Sequence, residues 1–178
     1  MKGTILKQLL FLTVLSISPV AFGQTAAAQK TSGGAMRIRL YFPRADPDKD
    51  NELVAVERTV KRTKRTADAA LRELFKGVTE TDRKNGLDSA FSVASIVTGR
   101  AECAREKMKP LGAYYRGVAI EKGVATVNFT PEAECYLQSA IYMMSRVMNP
   151  IEATLKQFST IKEVRFALDG RVITEWDA

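Results

Sequence analysis

Regular alternation begins at Met36. Ile38, Leu40 and Phe42 alternate with Arg37, Arg39 and Tyr41, a period of two that turns an apolar face one way and a polar face the other, and so predicts a strand. Pro43, which cannot donate to a ladder, ends it. A turn-rich acidic segment, Asp46 to Asn51, leads into LVAVERTV, where Val54, Val56 and Val60 share a face with Arg58 and predict a second strand. The period then changes. Thr66 is placed to cap a helix whose apolar residues Ala67, Ala70, Leu71, Leu74 and Phe75 fall at helical spacing, and Gly77 is placed to end it. From Val78 to Ala113 the pattern weakens into polar turns, a short apolar piece around Phe91 to Val97 and a charged stretch from Arg100 to Lys109. That segment predicts mostly loop with room for a short helix.

In GVAIEKGVATVNFT, Val118 and Ile120 alternate into Glu121-Lys122-Gly123, and Ala125, Val127 and Phe129 alternate out again. This is a hairpin whose glycine supplies positive φ, and every feature of it serves sheet pairing. A long helical tract follows, with Leu137, Ile141, Met144, Met148, Ile151, Leu155 and Phe158 on one face at steps of four and three. Pro150 interrupts it, and Asn149-Pro150-Ile151-Glu152 reads as N-cap, first-turn proline and capping-box acid, so either a kinked helix or two nearly coaxial helices fit. Its methionines read as core filling. Val164, Phe166 and Leu168 then alternate against Glu163, Arg165 and Ala167, and Asp169-Gly170 turns the chain into Arg171 to Thr174. The expected architecture is α+β: a two-layer sandwich in which a mixed β-sheet of about five or six strands carries two main helices on one face.

The ends of the chain change the picture. Met1 to Lys7 carries two lysines and no acid, Leu9 to Val20 is an apolar run, and Ala21-Phe22-Gly23 offers small residues where a signal peptidase reads. Residues 1–23 therefore read as a secretory signal cleaved before Gln24, with a second site ending at Ala28. The run falls short of the roughly 20 residues that cross a bilayer, and no lipidation cysteine follows it. Residues 24–35, mostly Ala, Gln, Thr, Ser and Gly, read as a flexible leader, and residues 36–178 as one domain. Of 178 residues, 46% are apolar and 26% charged, enough for one sizeable core. Removing residues 1–23 takes Lys2 and Lys7 and no acid, leaving 25 basic and 20 acidic side chains, a net of +5. That balance favours anionic envelope polymers or lipid headgroups as contacts, while export argues against nucleic acid.

Candidate chemistry is sparse. With no histidine, the commonest general base and every Ser-His or Cys-His arrangement are excluded. No phosphate loop, dinucleotide glycine pattern or spaced carboxylate pair is present, so neither catalysis nor a cofactor is expected. Asp46, Asp48 and Asp50 stand at alternate positions with Glu57 at the twelfth place, as in a calcium loop, but Asn51 replaces the usual glycine and Leu53 to Val60 reads as a strand where an exiting helix is needed. A solvated hairpin loop accounts for them better. Arg58, Lys61, Arg62, Lys64 and Arg65 form a basic run that is either a solvated connector or an anion-binding site. Arg58, in phase with valines, should be partly buried and paired with an acid. Cys103 and Cys135, the two cysteines, should bond to each other in an oxidising compartment; the alternative is two buried thiols.

Taken in order, RIRLYFP, LVAVERTV, ALRELFKG, GLDSAF, GVAIEKGVATVNFT and IEATLKQFSTIKEVRFALDG resemble the successive blocks of the GerMN domain of sporulation and spore-germination envelope proteins, from Arg37 to about Ile173. The resemblance implies a compact α+β module, similar to ring-building modules of secretion-like assemblies, with a noncatalytic role outside the cytoplasmic membrane and no catalytic residues. Against the family pattern, the lipid-attachment cysteine is missing, and Ser92 to Arg116 and Glu132 to Asn149 are enlarged; each enlarged segment contains one cysteine. The expected function is an exported interaction or scaffold domain in a bacterial cell-envelope complex with an unidentified protein partner. The alternative is a soluble binder of anionic envelope polymers or ligands through the basic run.

Overall fold

The computed structural model describes residues 34–49, 52–95, 101–137 and 144–174. The segment read as an export signal, the expected leader up to residue 33, Asp50, Asn51 and Ile141 lie outside these residues. Strands β1 (Ala35–Pro43) and β2 (Leu53–Lys61) pair antiparallel with Ile38 opposite Arg58, Leu40 opposite Val56 and Phe42 opposite Val54. The alternation read from the sequence holds: Ile38, Leu40 and Phe42 are buried and Arg37 and Arg39 exposed.

The second sheet contains β3 (Tyr115–Glu121), β4 (Val124–Phe129), β5 (Glu163–Leu168) and β6 (Arg171–Val172), in the spatial order β3-β4-β5-β6. It is mixed, because β4 and β5 run parallel while the outer pairs are antiparallel. Lys122 and Gly123 join β3 to β4 with φ of 49° and 86°, the left-handed pair that a tight hairpin turn demands. Asp169 and Gly170 repeat the device between β5 and β6.

The α+β class is as expected, with six strands among the described residues, but they form two sheets rather than one. The reason is local. The β1 edge that faces away from β2 is taken by helix α4 (Asn149–Lys156) and the residue after it: Gln157 Nε2 donates to the Arg39 carbonyl at 2.7 Å, the Arg39 amide donates to Gln157 Oε1 at 2.9 Å, and the Tyr41 amide donates to Thr154 Oγ1 at 3.2 Å. Backbone groups satisfied by helix side chains cannot pair with another strand.

Helix α1 (Thr66–Leu74) buries Ala67, Ala70, Leu71 and Leu74, and Gly77 at φ 79° closes its end by donating to the Leu74 carbonyl at 2.9 Å. Thr66 is not its cap. It occupies the first helical position, and its hydroxyl donates back to the Thr63 carbonyl at 3.3 Å, holding the preceding turn instead. The weakly patterned segment contains a one-turn helix, α2 (Glu80–Lys84), started by a capping box between Thr79 and Asp82. Phe75 holds this segment to the sheet: its ring lies 5.5 Å from Phe91, 5.1 Å from Tyr115 and 5.8 Å from Phe129. Gly112 is required there, since a Cβ would stand 2.9 Å from that of Phe75.

Between β4 and β5 lie α3 (Glu134–Leu137), a π turn (Met144–Met148) and α4. The cap expected at Asn149 is absent: Met148 already has helical φ and ψ of −76° and −46°, and α4 continues the π turn. A proline ring clashes with the carbonyl four residues back, and the wider π turn just ahead of Pro150 relieves that clash. It also shifts the helical phase. Met144 is therefore exposed, and Val147 is fully buried in its place. Glu152 pairs with Lys156 rather than with a cap. Cys103 and Cys135 are bonded, tying the turn Ala101–Cys103 to α3 across 32 residues of sequence, a closure worth on the order of 3–4 kcal/mol in the chain-entropy account.

Phe129 and Leu155 are both fully buried on facing layers. Replacing either with alanine should lower the urea-unfolding free energy by about 2–5 kcal/mol through lost packing and a residual cavity; losses near zero for both would contradict the layer assignment. Intact mass under denaturing conditions should rise by about two hydrogens when reductant is added, and alkylatable thiols before reduction would refute the bond.

Candidate functional site

The five residues of the basic run do not act as one patch. Arg58 sits on β2 with its side chain only 20% exposed, and its guanidinium is bound to the Asp82 carboxylate. The Thr79 amide and hydroxyl each donate to the same carboxylate at 2.7 Å. Burial alone would raise the Asp82 pKa, but the two Thr79 bonds and the Arg58 charge outweigh it and hold the carboxyl below the usual carboxylate range. Arg58 is thus paired with an acid, as its phase among valines implied, and is engaged in joining β2 to α2.

Lys61, Arg62, Lys64 and Arg65 are exposed. The Arg62 amide donates to the Gly34 carbonyl, fixing the start of β1 beside the end of β2. Lys64 and Arg65 lead into α1, where Asp68 organises a polar cluster: Tyr115 Oη and Arg72 Nε each donate to it at 3.0 Å, and Arg65 Nη2 stands 3.8 Å away. Burial pushes the Asp68 pKa up, while the bonds from Arg72 and Tyr115 and the charges of Arg72 and Arg65 bring it below the usual value. Tyr115 is shifted the other way: burial, then the charge and hydrogen bond of Asp68, raise its hydroxyl well above the ordinary phenol value, so it remains a donor. The Arg72 guanidinium lies 5.3 Å over the Tyr115 ring.

Beside this cluster opens a groove of about 350 Å³. Its walls are Val118 and Ile120 of β3 together with Phe158 and Ile161, and Lys64 and Arg65 form its rim. The bulge between Tyr115 and Gly117 sets Tyr115, Val118 and Ile120 opposite Phe129, Val127 and Ala125, so the groove is the uncovered end of the sheet's core face. Ile120 is 48% exposed there. The hairpin read as pure scaffold therefore also lines a surface depression. Ile120 is an apolar residue at a strand end beside a turn, and that was the signal available in the sequence.

The acidic segment behaves as a hairpin loop. Asp46 Oδ1 accepts from the Asp48 amide at 3.1 Å and Asp46 Oδ2 faces Lys49 at 3.8 Å, while Glu57 lies on β2 and pairs with Arg37 at 3.7 Å. Among the described residues no group of three His, Cys, Asp or Glu side chains is placed to hold a metal. The groove offers cationic donors and apolar walls, an arrangement suited to holding a ligand.

The family model for Germane, described as sporulation and spore germination, matches residues 39–174. No curated protein matches. Among solved structures, the tandem GerMN domains of the sporulation protein GerM from Bacillus subtilis are similar at a TM-score of 0.50 and 20% identity, over 82% of this chain and 43% of that one. The first GerMN domain of the same protein is similar at a TM-score of 0.49 and 18% identity, over 79% of this chain and 88% of that one. This chain thus spans less than half of the tandem's length, and the likeness is one of fold.

Asp68 and Asp82 have folded pKa values below their unfolded ones, so their stabilisation is present above the unfolded value near 3.9 and is lost as pH falls through the folded values. Unfolding free energy should stay flat from about pH 7 to about pH 5 on their account and fall below about pH 4. Asp68→Asn and Asp82→Asn should each flatten that acid limb in urea titrations; an unchanged slope in both would refute the assignment.

Proposed function

The chain belongs to the Germane family, and from that membership we propose that it is an exported, noncatalytic interaction domain that acts as a scaffold in a complex of the bacterial cell envelope. The observation that carries the reading is the groove, which places the exposed Ile120 and apolar walls beside Lys64 and Arg65 on a packed core. The principal buried carboxylates support the noncatalytic part, because Asp68 and Asp82 are held ionised by structural partners and are not poised for proton transfer. The Cys103–Cys135 bond supports export, since such bonds persist in oxidising compartments. The N-terminal sequence supports it as well, and no helix among the described residues is long and apolar enough to cross a membrane. The GerM relative is a sporulation protein; the present reading needs export and a partner, and does not need spore formation.

A second reading, a soluble binder of anionic envelope polymers, is favoured by Lys61, Arg62 and Lys64, which have no carboxylate at ion-pair distance among the described residues. The two readings differ in salt dependence. Affinity purification from crosslinked cells should recover a defined protein partner that is retained at high salt, and the purified chain should begin at Gln24. Retention on anionic wall polymer that vanishes at high salt, and in a variant with Lys61, Arg62, Lys64 and Arg65 all changed to alanine, would favour the second reading. An intact Met1 on a cytoplasmic product would overturn both.

A further inference from the structure

The lining of the groove specifies what it can hold. Each oxygen of Asp68, the acid in the lining, already accepts a bond at 3.0 Å, Oδ1 from Tyr115 Oη and Oδ2 from Arg72 Nε. Arg65 stands 3.8 Å from it, beyond hydrogen-bond reach, with a side chain 69% exposed. One carboxylate set against two guanidinium groups and the Lys64 ammonium leaves the rim positive. The walls, by contrast, are Val118, Ile120, Phe158 and Ile161. A matching occupant carries carboxylates next to apolar side chains.

Shape discriminates among classes of occupant. Membrane binding uses a convex apolar face that sinks into the headgroup boundary, whereas this surface is concave and, at about 350 Å³, is sized to receive a side chain or two. An anionic polysaccharide would satisfy the rim and leave the walls wet. β3 is also a terminal strand of its sheet, with β4 on one side and no strand on the other among the described residues, so an extended segment can lie along it. We propose that the groove docks an extended acidic segment of a partner protein, with an apolar side chain seated against Ile120, Val118, Phe158 and Ile161 and neighbouring carboxylates against Lys64 and Arg65. The proposal rests on the interaction reading above and names the chemistry of its partner.

The probe is a random-peptide phage library selected against the mature full-length chain, with enriched peptides synthesised for anisotropy measurements. Enriched peptides should place Leu, Ile, Phe or Trp beside Asp or Glu. Their binding should weaken about tenfold or more in Ile120→Glu and about fivefold in Lys64→Glu/Arg65→Gln. Both changes are at exposed positions, and an unchanged thermal midpoint checks that the variants fold. No enrichment, enriched peptides without acids, or equal binding to parent and variants would overturn the proposal. So would phosphatidylglycerol vesicles that bind the parent chain but not Ile120→Glu, which would assign the face to lipid.

In cells, a photocrosslinking residue at Ile120 should capture a protein whose crosslinked peptide is acidic by mass spectrometry. Lys84, on α2 outside the groove, serves as control. Capture at Lys84 but not at Ile120 keeps the interaction reading and overturns the groove. Capture at neither overturns both.

Discussion

The pairing of Gln157 and Thr154 with the free edge of β1 is the constraint on which the layout depends. A strand with one open edge invites either another strand or a cover, and here a helix supplies the cover with side-chain amide and hydroxyl groups. The chain therefore makes two sheets with α1 and α4 against them, instead of one continuous sheet beneath two helices. Alternation along β1 cannot disclose this. It specifies which face is buried and says nothing about which groups meet the outward amides of Arg39 and Tyr41, more than a hundred residues away in sequence.

The same distinction separates what could be read in advance from what could not. The Lys122-Gly123 and Asp169-Gly170 turns were legible because left-handed φ is demanded locally and glycine meets the demand. The face of α1 was legible because Ala67, Ala70, Leu71 and Leu74 repeat at the helical period. The segment from Val78 to Ala113 was not, because its described residues are held by contacts rather than by period: Phe75 against Phe91, Gly112 beneath Phe75, a capping box one turn long, and the disulfide to α3. At Pro150 the cap reading was chemically sound, yet the backbone met the same steric demand with a π turn. That choice moved Met144 to the surface and Val147 to the core.

Charge followed a similar division. The position of Arg58 among valines announced a buried cation in need of an acid, but Asp82 lies 24 residues further on, in the segment without a readable pattern. Once that pair is made, five clustered basic residues resolve into one structural arginine, one arginine shared with Asp68, and a remainder without carboxylate partners among the described residues. A basic run in a sequence is thus not a unit of function. Folding assigns each charge its own dielectric and its own neighbour, and only those left at the surface remain for a ligand.

The groove owes its existence to a mismatch of lengths. β3 extends past Val118 to Glu121, while the helix that covers its Tyr115 end begins only at Thr66, so the core face near Ile120 is left open. Covering it from within would require α1 to start earlier, where Lys64 and Arg65 would have to enter a helix end already positive from its unpaired amides. The cations that prevent such an extension are the ones that border the exposed apolar floor. A partner bringing an apolar side chain and carboxylates would complete the layer that α1 leaves unfinished and would neutralise the helix start in the same contact. Binding would then continue the folding physics of the core across a molecular boundary, which is how the proposed interaction role would draw on this architecture.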